Sequence, residues 1–208
     1  MSAPGRKMAL QRERPELVLA SGSAARATLL RAAGLRFHVA PADLDERAIR
    51  RTLGGEAGGA AIALAAAKAR AGSETAPEAL VIGADQILAC EGRWFEKPAG
   101  RAEAAAQLRI LRGRMHSLAS AVACAKQGTV VWHATSEARL VFRAFSEALL
   151  EAVIDADEAA IGSSVGGYRL EGPGIQLCER IEGDHFTILG LPLLPLLGFL
   201  RAEGILLD

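Results

Sequence analysis

Leu80-Val81-Ile82-Gly83-Ala84-Asp85-Gln86-Ile87-Leu88-Ala89-Cys90 has the length and branching of a central β-strand, and it carries one carboxylate among apolar neighbours. A charge in that setting costs free energy unless it is paired, bound to a metal, or held where the strand faces a cleft. Asp85 is therefore the first residue that demands a chemical reason, although a structural ion pair would also satisfy it. Upstream lies an alanine-rich segment, about residues 59–71, that predicts a helix carrying Lys68 and closed by Gly72 and Pro77. Downstream, Glu91-Gly92-Arg93 predicts a hairpin turn into Trp94-Phe95-Glu96-Lys97-Pro98, and residues 101–111 have the period of an amphipathic helix.

Further out, the same alternation continues. Glu16-Leu17-Val18-Leu19-Ala20 predicts a buried strand, Ser21-Gly22-Ser23 a turn, residues 24–33 a helix ended by Gly34, and residues 35–40 a second strand. Two long β-like runs, 115–126 and 129–145, are separated by Gln127-Gly128 and predict an antiparallel ribbon. Ser146-Glu147 can cap a helix to about residue 154, a glycine-rich loop runs from 162 to 174, a strand covers 175–182, and a last helix spans about 193–203. Helices interleaved with strands, plus one long hairpin, predict an α/β layered fold with a mixed sheet.

The chain has 208 residues, half of them hydrophobic and 23% charged, which suits one folded domain over 16–208. Residues 1–15 are polar and basic, without an apolar signal-peptide core, and predict a flexible tail on a cytoplasmic protein. Lys and Arg number 24 against 24 Asp and Glu, so no global field favours nucleic acid or an anionic membrane. The most lipid-like run, 189–200, is broken by Pro192 and Pro195 and is too short to cross a bilayer. Cys90, Cys124 and Cys178 lack zinc-ligand spacing and read as small buried hydrophobes; the four histidines show no paired-ligand spacing either.

Phosphate binding, if present, must then come from a local site. Ser21-Gly22-Ser23-Ala24-Ala25-Arg26 joins a strand to a helix, where backbone N–H groups and Arg26 could face a phosphate; the same Ser-Gly turn could equally be a simple cap. Asp43, Asp45 and Glu46 form an acidic loop that is either a solvated turn or part of a site, and Lys68 and Lys97 are unremarkable singly. An acidic pair with basic and Ser/Gly loops favours a divalent-metal, phosphate-handling enzyme, and composition goes no further.

The ordered set Leu19-Ala20-Ser21-Gly22-Ser23, Phe37 with Asp45-Glu46, Lys68-Ala69, Gly83-Ala84-Asp85-Gln86, Lys97-Pro98, Leu111-Arg112-Gly113 and Gly190-Leu191-Pro192 resembles the Maf family over about residues 17–204. The resemblance implies an elongated mixed sheet between helical lobes with a central cleft. It also implies a cytoplasmic, often homodimeric nucleoside triphosphate pyrophosphatase that cuts between the α and β phosphates. Asp85 then takes the catalytic carboxylate's position; Glu46 and Asp85 hold Mg²⁺ or Mn²⁺; Ser21, Arg26, Lys68 and Lys97 line the substrate cleft. The family usually has S-x-S-P-R-R, a Thr after the catalytic Asp, and Gly-Ile-Gln-Gly, whereas this chain has Ala25, Gln86 and Glu171. Those three departures resemble the 7-methyl-GTP pyrophosphatase branch, with Gln86 and Glu171 as substrate-binding residues. The branch without them prefers UTP and dTTP, and a non-catalytic nucleotide-binding regulator of division is the reading from another class.

Overall fold

The computed structural model describes residues 10–208. In chain order the elements are β1 (Leu17–Leu19), α1 (Ala24–Ala32), β2 (His38–Val39), α2 (Glu46–Thr52), α3 (Ala57–Thr75), β3 (Leu80–Cys90) and β4 (Arg93–Phe95). They continue with α4 (Arg101–Leu111), β5 (Met115–Lys126), β6 (Thr129–Phe142), α5 (Glu147–Ala156), β7 (Cys178–Glu182), α6 (His185–Ile188) and α7 (Leu193–Ala202). The strands form one seven-stranded mixed sheet in the order β2-β1-β3-β5-β6-β7, with β4 also on β3. β1 runs parallel to β2 and β3, and every other pair is antiparallel.

β3 is the spine, as its sequence predicts. Along one edge it pairs with β5 from Val81 to Ala89. On the other edge β1 covers only Leu80 to Ile82 and β4 only Leu88 to Cys90. The backbone between them is left without a strand neighbour, and Asp85 sits in that gap. Side chains alternate across a strand, so Asp85 and Ile87 face α3 while Ile82, Ala84 and Leu88 face the opposite layer. There Ile82 and Ala84 pack with α1 and α7, and Leu88 packs with α4 and α5.

α3 is alanine-rich for a steric reason. Ala60, Ala61, Ala65 and Ala69 are buried against Ile87 and the β5 alanines Ala121, Ala123 and Ala125. The two backbones come so close that a Cβ at position 83 would lie 2.2 Å from the Ala65 carbonyl oxygen and 2.5 Å from the Ala69 nitrogen. Only glycine fits there. The large side chains are concentrated in the other layers, where Phe95, Phe142, Leu30 and Leu108 are among the residues fully removed from water, each contributing about 1.5–3 kcal/mol of apolar burial.

Both hairpins use two-residue turns with positive φ at each position, Glu91-Gly92 (50° and 78°) and Gln127-Gly128 (50° and 75°), which match the right-handed twist of the strands. Cys90 and Cys124 are buried and Cys178 is half-buried, all with free thiols. Burial pushes their pKa values up, to about 11 for Cys178. They behave as hydrophobes.

Several boundaries differ from expectation. The second strand shrinks to two residues, and the stretch after the acidic loop forms α2, because Asp45 caps it by accepting from the Ala48 N–H at 2.9 Å. The short α6 was not foreseen; Asp184 caps it through the Thr187 N–H at 2.9 Å. Of the flexible tail predicted over 1–15, residues 1–9 lie outside the described residues. Gln11, within the predicted tail, is buried, bridges to Leu206, and exchanges side-chain hydrogen bonds with the Arg36 backbone at 2.7 and 3.0 Å. No helix among the described residues is long and apolar enough to cross a membrane.

The contact at position 83 yields a direct test. Gly83→Ala inserts a methyl between two backbones that cannot both stay in place, and should lower stability by about 3 kcal/mol. Denaturant unfolding measures it; a loss within experimental error would mean that the helix yields freely.

Candidate active site

A cleft of about 1150 Å³ opens over the unpaired stretch of β3. Its walls take in the β1–α1 loop, α2, α3, the segment after β4, the glycine-rich loop and α6. All eight residues singled out in the sequence, Ser21, Arg26, Glu46, Lys68, Asp85, Gln86, Lys97 and Glu171, line it. They come from six separate segments of chain, so the fold rather than local sequence brings them together.

At the floor, the Lys68 ammonium donates to Asp85 Oδ1 at 2.7 Å and lies 2.9 Å from Glu46 Oε2. Arg50 Nη2 donates to the other Asp85 oxygen at 3.1 Å. The Lys68 and Asp85 side chains are 8% and 5% exposed, against 42% for Glu46, so this is a buried ion pair opening towards solvent on one side. Removing one member of such a pair leaves an uncompensated charge, which makes the cluster mutually dependent. The carboxylate in the apolar strand is thus both paired and cleft-facing.

Ser23 caps α1 by accepting from the Arg26 N–H at 3.4 Å. The cap does not exhaust the loop, because Gly22 to Ala25 still line the cleft. Arg26 is turned inward. Its Nε donates to the Gly190 carbonyl at 2.8 Å, and its Nη1 to the Ala84 carbonyl at 2.8 Å and to Ser21 Oγ at 3.0 Å. It fills the missing strand on β3 and ties the β1–α1 loop to the chain between α6 and α7. Burial pushes the guanidinium pKa down, while Asp85 and Glu46 pull it up. Lys97 has no ion-pair partner among the described residues. Desolvation at the cleft wall, then Arg26 and Lys68, push its pKa below the usual 10.5.

The other end of the cleft is built differently. Gln86 Nε2 donates to Ser120 Oγ at 3.0 Å and to the Thr187 and Ile188 carbonyls at 3.1 and 2.9 Å, pinning α6 to the sheet. Its donors are therefore engaged within the protein. Arg169 forks onto the buried Asp157, with Nε 2.8 Å from Oδ2. Glu171, two residues on, is exposed in the cleft and has no ion-pair partner among the described residues. Tyr168 anchors this loop: its hydroxyl lies 2.7 Å from His116 Nε2, and both rings pack edge-on against Phe142.

Two contributors escaped the sequence reading. Arg50 stands four residues after Glu46, a spacing that puts both on one face of a helix, and the signal was lost because α2 was not foreseen. His116 was set aside for lack of ligand spacing; nothing local reveals its bond to Tyr168.

Among the described residues no group of three or more His, Cys, Asp or Glu converges. Asp85 and Glu46 supply hard oxygens bridged by Lys68, and Mg²⁺ commonly binds through one or two carboxylates, waters and the phosphates of its substrate. The residues therefore fit a divalent cation that arrives with a polyphosphate.

The family model described as Maf-like protein matches residues 16–203. The chain belongs to the Maf family. Its relatives include a protein of Nitrobacter winogradskyi that is 51% identical over 200 residues, covering 96% of this chain and 99% of that one. Another, from Bradyrhizobium diazoefficiens, is 53% identical over 207 residues with the same coverage, and one from Paramagnetospirillum magneticum is 49% identical over 190 residues, covering 90% and 98%. Each is named nucleoside triphosphate pyrophosphatase.

His116 gives a pH signature. Burial drives its pKa from the usual 6.5 down to about 4. Between those values the unfolded chain takes up a proton that the folded one refuses, so stability falls as pH drops through the window. The loss should approach about 3 kcal/mol. Unfolding free energies at several pH values should show this slope in wild type and its reduction in His116→Gln; equal slopes would contradict a neutral, buried His116.

Proposed function

We propose that the chain hydrolyses a nucleoside triphosphate to the monophosphate and pyrophosphate, with Asp85 at the reacting centre. The carrying observation is the buried Asp85 carboxylate, held by Lys68 and Arg50 on the floor of a cleft with further cations around it. The names of the relatives point the same way.

A triphosphate brings about four negative charges, and the cleft answers them from several sides. The α1 N-terminus offers backbone N–H groups and a positive dipole end. Lys97, which has no ion-pair partner among the described residues, is placed to meet a phosphate oxygen. Lys68 orients Asp85 and Glu46 by bridging them. Arg26 has its Nε and Nη1 donors committed to the Gly190 and Ala84 carbonyls and to Ser21 Oγ, so its part is to fix the loop and to add positive potential from beneath. Asp85 can orient a water or take its proton. A Mg²⁺ or Mn²⁺ ion held by Asp85 and Glu46 would neutralise phosphate oxygens and acidify water. Cations fixed in place before reaction stabilise the charge that develops on departing pyrophosphate.

The base end favours 7-methyl-GTP within this reading. A guanine edge offers two donors, N1–H and the 2-amino group, which one carboxylate can accept together, while uracil or thymine offers one. Asp157 occupies Arg169, and Glu171 has no ion-pair partner among the described residues, which would leave its carboxylate available to those donors. Methylation at N7 adds positive charge that Glu171 would attract. Gln86 braces the wall beneath.

Asp85→Asn keeps the shape, and Lys68 keeps Glu46 as a partner, so circular dichroism should be unchanged while pyrophosphate release falls at least about 100-fold. Near-normal turnover would contradict the assignment. Steady-state kinetics should show Glu171→Gln losing about tenfold of the preference for 7-methyl-GTP over UTP; unaltered selectivity would remove Glu171 from base recognition and leave the pyrophosphatase reading standing.

A further inference from the structure

Asp85 has two oxygens, and both are taken: Oδ1 by Lys68 at 2.7 Å and Oδ2 by Arg50 at 3.1 Å. Each oxygen keeps a second lone pair, but a divalent cation brought to either one meets the positive charge and the bulk of the side chain already there. The two cations are unequal. Lys68 lies on the long α3, is almost wholly buried, and binds Glu46 as well, so displacing it would break two contacts in the core. Arg50 is more exposed, and Asp85 is its ion-pair partner among the described residues. It also rides on α2, a seven-residue helix with no fully buried residue, resting on the α3 layer through the partly buried Ile49 and Leu53.

We propose that Arg50 competes with the divalent cation for Asp85 Oδ2, and that the incoming polyphosphate draws the guanidinium off. This rests on the metal reading above. With an empty cleft, the guanidinium keeps the carboxylate satisfied in a poorly hydrated place, where a bare anion would be costly. When a polyphosphate enters, its oxygens offer Arg50 a better, forked partner, and the vacated oxygen becomes available to the metal. Metal and nucleotide binding are thereby coupled: each makes the other easier, by the same factor. A cation without nucleotide is disfavoured, which keeps the site from filling unproductively.

The test is calorimetric titration of nucleotide-free protein with Mn²⁺, using wild type, Arg50→Met, Arg50→Gln, Arg50→Lys and Asp85→Asn. Because α2 contributes no fully buried residue, the Arg50 variants should fold, and thermal melts check this. Arg50→Met and Arg50→Gln should bind Mn²⁺ about tenfold more tightly than wild type, the equivalent of one charge-assisted hydrogen bond no longer in competition. Arg50→Lys should fall back towards wild type, and Asp85→Asn should bind none. α,β-Methylene-GTP should raise the Mn²⁺ affinity more in wild type than in Arg50→Met. Affinity in Arg50→Met and Arg50→Gln equal to or weaker than wild type, with binding lost in Asp85→Asn, would overturn the competition alone. Mn²⁺ binding that survives Asp85→Asn would overturn the metal reading and the competition with it.

Discussion

The Lys68 ammonium reaches two carboxylates because α3 packs onto β3 with no side chain between their backbones at Gly83. That approach fixes the helix axis against the strand, and with it the height of Lys68 above Asp85, one pleat further along. The alanines of α3 serve the same end from the helix side. Larger residues would lift the helix by a side-chain layer and part the 2.7 Å contact. The charged floor of the cleft is thus a consequence of steric smallness in the core, and a packing change there is felt as an electrostatic one.

The second constraint is the interrupted edge of β3. Continuous pairing would have buried the strand on both sides and left no room for a ligand. Here β1 stops after Ile82 and β4 begins only at Leu88, so the backbone between has unsatisfied groups to place. Arg26 accepts that task at the Ala84 carbonyl, and by bonding Gly190 and Ser21 as well it joins three segments around the opening. The cleft is therefore framed by the same residue that closes the sheet. At its far end, the His116–Tyr168 bond and the Asp157–Arg169 fork hold the loop that presents Glu171. The two ends of the cleft are built on separate supports.

Much of this was legible before any coordinates. β3 declared itself by length and branching and the long hairpin by its Gln-Gly turn, while the eight candidate residues came from the family resemblance and its departures, and all eight line one cleft. What escaped was non-local. Arg50 was hidden because the helix that carries it is capped by Asp45 inside a stretch that reads as an acidic loop. Gln11 looked like tail because its partners, Arg36 and Leu206, are far away in sequence. Arg26 read as a free phosphate clamp, since nothing nearby in the chain announces the carbonyls of Ala84 and Gly190.

At the floor of the cleft the buried Asp85 carboxylate is paired and oriented by Lys68 and Arg50. Cleavage between the α and β phosphates is distinguished from other hydrolyses by its products. Phosphorus NMR of the purified protein with 7-methyl-GTP and Mg²⁺ tests it most directly. Nucleoside monophosphate and pyrophosphate should grow in equal amounts, with no diphosphate at any time; orthophosphate and nucleoside diphosphate as first products would contradict cleavage at that bond.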